Sequence, residues 1–117
     1  MTLVDTSVWA NHLRRADRRL MQLLDDAQAV CHPFVIGELA CGQLRRRAEV
    51  LALLARLPMV PPVSQAEALS FIEVNHLAGS GVGWVDVHLL ASARLARVSL
   101  FTADKALARA ADRLGLA

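Results

Sequence analysis

Four carboxylates stand inside apolar stretches of this chain. Asp5 follows Leu3-Val4, and Glu38 sits between Phe34-Val35-Ile36-Gly37 and Leu39-Ala40. Asp86 lies between Trp84-Val85 and Val87-His88-Leu89-Leu90, and Asp104 follows the run Val98 to Ala103. A lone carboxylate in apolar surroundings is costly to bury. Several that share one site need a cation, or one of them must take up a proton. Thr6, Ser7 and Thr102 lie beside them. Carboxylates grouped with hydroxyls are hard oxygen donors that suit Mg²⁺ or Mn²⁺, ions that keep several waters and often bridge to phosphate. Such an ion polarises a phosphoryl oxygen, lowers the pKa of a bound water and steadies a leaving oxygen. The chemistry that follows is metal-assisted phosphodiester hydrolysis.

Each acid also has an ordinary reading. Asp5 can cap a helix or serve a turn, and Glu38 can sit on the exposed side of a half-buried helix, although counting by three and four sets it beside Phe34, Val35 and Gly42 on the inward face. Asp86 can favour the positive end of a helix. Asp104 can stand in the first turn of a helix capped by Thr102. What favours the shared site is the set as a whole: two strand ends, one helix start and one inward helix position. His12, His32, His76 and His88 form no i, i+4 pair and read as structural, and Trp9 and Trp84 read as packing residues near the pocket wall.

The elements that must position these groups follow from the apolar pattern. Thr2–Val4, Ala29-Val30-Cys31 and Val98–Phe101 read as short buried strands, with Met59-Val60 a brief further one before Pro61-Pro62. Ser7 can cap a helix through about Arg14, and Asp17 a second carrying Leu20, Leu23, Leu24 and Ala27. Pro33 suits the first turn of a helix ending near Gly42. Leu44, Ala48, Leu51 and Leu54 or Ala55 face one way on the next helix. Ser64 and Glu67 match a capping box for a helix that Gly79 ends. Val85–Ala96 is apolar on nearly every face, as in a buried helix, and Thr102 can cap the last one. Short apolar strands alternating with helices predict a parallel α/β sheet covered on both faces. In such sheets ligands bind outside the carboxyl ends of the strands, which is where Asp5 and Asp104 fall.

A chain of 117 residues, 55% of them apolar, suffices for one domain over 1–117 with a single core. No apolar stretch is long enough to span a membrane, and Met1 to Asp5 is no signal peptide, so a cytoplasmic protein is expected. Net charge is only +2, but Arg14, Arg15, Arg18, Arg19 and Arg45-Arg46-Arg47 cluster in ways that can meet phosphates or form a solvated face. Cys31 and Cys41 lack zinc-site spacing and read as reduced core thiols.

The opening Leu3-Val4-Asp5-Thr6-Ser7-Val8-Trp9 resembles PIN-domain proteins of the VapC toxin type. So do His32-Pro33-Phe34-Val35-Ile36-Gly37-Glu38-Leu39, Gly83-Trp84-Val85-Asp86-Val87-His88-Leu89-Leu90-Ala91-Ser92 and Phe101-Thr102-Ala103-Asp104-Lys105, in the family's order. The resemblance implies a three-layer α/β/α fold with a short parallel central sheet. It implies a Mg²⁺-dependent endoribonuclease, the toxin of a type II toxin–antitoxin pair, with Mn²⁺ as an alternative ion. Asp5 and Asp86 would hold the metal, Glu38 and Asp104 would complete the catalytic pocket, and Thr102 takes the place of the family's hydroxyl before the last acid. A homodimer and a cognate antitoxin are also implied, the latter laid along a groove that includes Phe34 to Leu57. The chain departs from its relatives in Val87, where a small residue is common, in Ala103, where a polar one is frequent, and in stopping at Ala117, so that a last edge strand is expected to be very short or missing.

Two rival readings differ in class. A phosphoacceptor signalling domain shares the length and the α/β pattern, but needs an Asp after a middle strand, and Met59-Val60-Pro61-Pro62 offers no acid. A catalytically inactive binding module would use the carboxylates for partner recognition alone.

Overall fold

Strand β1 (Thr2–Val4) lies at the centre of a parallel sheet, between β2 (Ala29–Val30) and β3 (Ser99–Phe101), in the order β2-β1-β3. The computed structural model describes residues 1–117. Thr2 pairs with Ser99, Leu3 with Leu100 and Val4 with Phe101. One bond continues past the strand, as the Asp5 amide donates to the Phe101 carbonyl at 2.9 Å. Leu3, Val4, Val30 and Leu100 are all buried, which is what a parallel sheet covered on both faces demands.

Seven helices complete the three-layer α/β/α architecture: α1 (Thr6–Arg14), α2 (Arg18–Asp25), α3 (Pro33–Cys41), α4 (Arg47–Ala55), α5 (Gln65–Val74), α6 (Trp84–Ala96) and α7 (Lys105–Arg113). One cluster of 25 buried apolar residues joins the sheet to the helices. Helix α6 is its spine: Val87 through Ala93 are all buried. The Asp17 carboxylate caps α2, and Ser64 and Glu67 close both bonds of the capping box on α5. No helix is long and apolar enough to cross a membrane.

Several local expectations are corrected. Ser7 and Thr102 do not cap helices. Asp5 is the residue before α1, and Asp104 caps α7 by accepting the Leu107 amide at 2.9 Å. Helix α5 ends at Val74 rather than Gly79, because the Asn75 side chain turns back to donate to the Phe71 carbonyl and competes with a further helical turn. Helix α4 starts only at Arg47, after Arg46 takes a left-handed φ of 52°. Met59-Val60 is reduced to a single bridge, Cys31 to Met59, since Pro61 and Pro62 have no amide to extend a ladder. Beyond β3, the Leu100 amide donates to the Leu116 carbonyl at 2.6 Å, so the expected edge strand amounts to one bond. Cys41 is exposed. Cys31 is the core thiol, its pKa pushed by burial to about 11.

His32 gives the fold an acid-sensitive joint. It has no exposed surface, and its Nδ1 accepts the Phe34 amide at 2.9 Å at the start of α3. Burial, and then the neighbouring His88, lower its pKa from 6.5 to about 4. Protonation would remove that acceptor and set a cation at the positive end of a helix. Because the folded value lies below the unfolded one, the unfolded chain takes up the proton first. This contribution is therefore full above about pH 6.5 and is lost as pH falls toward 4. Urea midpoints should show a loss of about 2–3 kcal/mol between pH 7 and 4.5 that His32→Asn largely removes. An equal acid loss in that variant would show that His32 is not the cause.

Candidate active site

Asp5 stands where β1 ends and is buried. Its Oδ2 accepts two hydroxyls, Ser7 Oγ at 2.6 Å and Thr102 Oγ1 at 2.7 Å. The same hydroxyls accept backbone amides at 3.0 Å, Ser7 Oγ from Ala103 across the gap and Thr102 Oγ1 from nearby Asp104. Residues at opposite ends of the chain are thus knitted around one carboxylate, which is why Ser7 and Thr102 are not available as helix caps.

Asp86 is half-buried in the first turn of α6, where its Oδ2 accepts the Gly83 amide at 2.9 Å. Asp104 is exposed at the start of α7. Glu38 is exposed as well, not on the inward face of α3, yet its Oε1 accepts the Thr6 hydroxyl at 2.5 Å and leans toward the end of β1. The inward face of α3 belongs to Val35 and Leu39.

Each of the four carboxylates has one oxygen engaged and the other without a protein partner. The free oxygens of Asp5 and Asp86 are not sealed from solvent. No cationic side chain neutralises any of the four, since the only ion pair in the molecule is Arg46 to Glu49 at 3.9 Å. The electrostatics agree. Burial, and then the negative charges of Asp5, Asp104 and Glu38, push the Asp86 carboxyl above its ordinary value, against the opposing pull of the Gly83 amide. Asp86 therefore feels each of the other three acids. No three of them, alone or with a His or Cys, close into a ready-made cage for an ion. The donor set fits a small hard cation that keeps most of its waters and takes one or two carboxylates directly.

A family model described as "PIN domain" matches residues 2–113. The chain belongs to the PIN-domain family. Two relatives, each named "Ribonuclease VapC32", come from the CDC 1551 / Oshkosh and H37Rv strains of Mycobacterium tuberculosis. Each is 48% identical over 118 residues, spanning 100% of this chain and 95% of the relative, so the resemblance to VapC-type members read from the motifs holds along the whole chain.

The arginines of this PIN domain divide by role. Arg14 and Arg45 line a cleft of about 570 Å³ between α1 and the turn after α3, with Thr6 and Glu38 in the same wall. Arg47 is structural: it donates to the Ala40 carbonyl and, at 3.1 Å, to the Gly42 carbonyl, satisfying the end of α3. Arg46 faces Glu49, and Arg19 lies over the Phe101 ring at 4.2 Å.

Sequence reasoning missed two groups. One is the Gly83 amide that orients Asp86, signalled only by the glycines preceding α6. The other is a ladder of rings beside the acids. The Trp84 and His88 rings lie 4.6 Å apart, His88 and Phe34 4.8 Å, and Phe34 and His32 5.0 Å. The Trp84–His88 spacing of i, i+4 was its signal. Trp84, expected to pack, is 42% exposed.

Proposed function

We propose that this PIN domain, acting as one domain over residues 1–117, is a Mg²⁺-dependent endoribonuclease and the toxin of a type II toxin–antitoxin pair. The observation that carries the reading is the set of four carboxylates, three of them acting on Asp86, each oriented through one oxygen and free at the other, with no ion-paired cation of the protein's own. The name of the relatives supports RNA as the substrate.

In this reading Asp5 and Asp86 present their free oxygens to the ion, directly or through water. Bound there, Mg²⁺ would polarise the phosphoryl oxygen and acidify a coordinated water. Glu38 or Asp104 accepts the proton of the attacking water, their second oxygens being tied to Thr6 and to the Leu107 amide. Ser7 and Thr102 hold Asp5 in one orientation. Attack in line at phosphorus expels the 3′-oxygen and leaves a 5′-phosphate. Arg14 and Arg45 follow the RNA backbone along the cleft they line. An antitoxin segment seated in that cleft would cover both arginines and Glu38 at once, which explains inhibition by simple exclusion.

A cytoplasmic homodimer completes the proposal. The groove of about 370 Å³ between α5 and α6 carries exposed Val74 and Leu95 with Glu67 and Arg94, a mixture of apolar surface and opposite charges that suits a second copy.

The test is cleavage of single-stranded RNA by the purified chain. Cutting is expected with Mg²⁺ or Mn²⁺, none with EDTA, and recovery when Mg²⁺ is restored. Undiminished cutting in EDTA would exclude a metal mechanism. Absence of both cutting and calorimetric Mg²⁺ uptake by the folded chain would favour the inactive binding module.

A further inference from the structure

We propose that Trp84 and Phe34 form a stacking platform for an unpaired base of the RNA strand, next to the phosphodiester that is cut. The inference rests on the nuclease reading and deepens it. The chain has three Phe, two Trp and no Tyr. Only Phe34 and Trp84 among them are exposed, at 36% and 42%. Both stand at the acidic mouth. Trp84 opens the helical turn that holds Asp86, and Phe34 lies four residues before Glu38 on the same side of α3.

Both rings are also held in place. His88 is buried between them, edge-on to Trp84 at 84° and tilted against Phe34 at 57°. A lone exposed apolar side chain needs no explanation. Two aromatic ones locked into a single ladder beside the reacting centre do. Aliphatic side chains make up the rest of the large exposed apolar surface, and they offer no π-face. Single-stranded RNA is gripped by laying splayed bases on such faces, at a gain of about 5- to 150-fold in affinity per base. Neither ring lines the cleft that holds Arg14 and Arg45, so a strand bound at the acids could meet cations and rings at separate places.

The experiment titrates the full-length chain, as Asp86→Asn to prevent cutting, with a single-stranded RNA 8-mer while indole emission is followed. Trp9 is buried, so the change reports Trp84. Emission should be quenched on binding. Trp84→Ala should weaken affinity about 5- to 150-fold, and Trp84→Phe should restore most of it. An 8-mer made abasic at each position in turn should identify one position whose loss costs nothing further in the Trp84→Ala chain. In the otherwise unaltered enzyme the same substitution should raise KM more than it lowers kcat. No coupling at any position, in an enzyme that still cuts RNA, overturns the platform and leaves the nuclease reading intact. Failure to bind RNA at all overturns the platform, and failure of the unaltered enzyme to cut removes the nuclease reading separately. Conversion of a dimer to a monomer by Trp84→Ala would assign the ring to a contact between copies instead.

Discussion

Asp86→Asn and Asp5→Asn are each expected to lower RNA cleavage by about 10²- to 10³-fold, the scale on which removal of one preorganised charge stabiliser acts. The folded chain should remain intact. Asp86 is the carboxyl that burial and three other acids push toward its protonated form, so a neutral isostere relieves repulsion and should hold or slightly raise the melting temperature. Asp5→Asn differs, because Asp5 Oδ2 receives both the Ser7 and the Thr102 hydroxyls. An Asn oxygen can accept them, but with less charge to bind them, so its stability should change little or fall slightly. Single-turnover cleavage and thermal melts on the same preparations separate the two effects. Wild-type cleavage by either variant would remove that acid from the metal set. Loss of cleavage together with loss of folding would assign it a structural role instead.

Trp9→Ala should be the most destabilising single truncation in the core, by about 3–5 kcal/mol. Trp9 is among the largest fully buried side chains, packed behind the residues that follow Asp5. The expected fall in melting temperature is on the order of 15 °C for a domain of this size. Trp9→Phe should cost much less, because the indole Nε1 is buried without a hydrogen-bond partner, and removing that orphaned donor offsets part of the lost volume. Chemical denaturation of both variants checks the ordering. A Phe variant as damaged as the Ala variant would mean that the indole nitrogen is bound by an ordered water.

What was legible in the residue order was what local rules decide. The carboxyl-terminal positions of Asp5 and Asp104 on their strands, the Ser64–Glu67 cap, Pro33 at the start of α3 and the all-round burial of α6 depend on neighbours within a turn or two. What was hidden depends on partners far away. Ser7 and Thr102 look like caps until β1 and β3 pair and set each hydroxyl against Asp5. Glu38 looks inward by helical counting, but Val35 and Leu39 occupy that side, and only the Thr6 hydroxyl on another helix draws it to the site. Arg47 looks like one of three equal cations until the turn at 42–46 brings it back onto the end of α3. Trp84 looks like core because its neighbours are, yet at the start of α6 it is covered only in part and stays 42% exposed.

The sheet order β2-β1-β3 also decides when the active constellation can exist during synthesis. Asp5 is translated early, while Thr102, which fixes it, follows 97 residues later. Until that stretch has left the ribosome, the growing polypeptide has neither the clamp on its first acid nor the fourth acid beside it. The acidic mouth is therefore among the last parts of the fold to be completed.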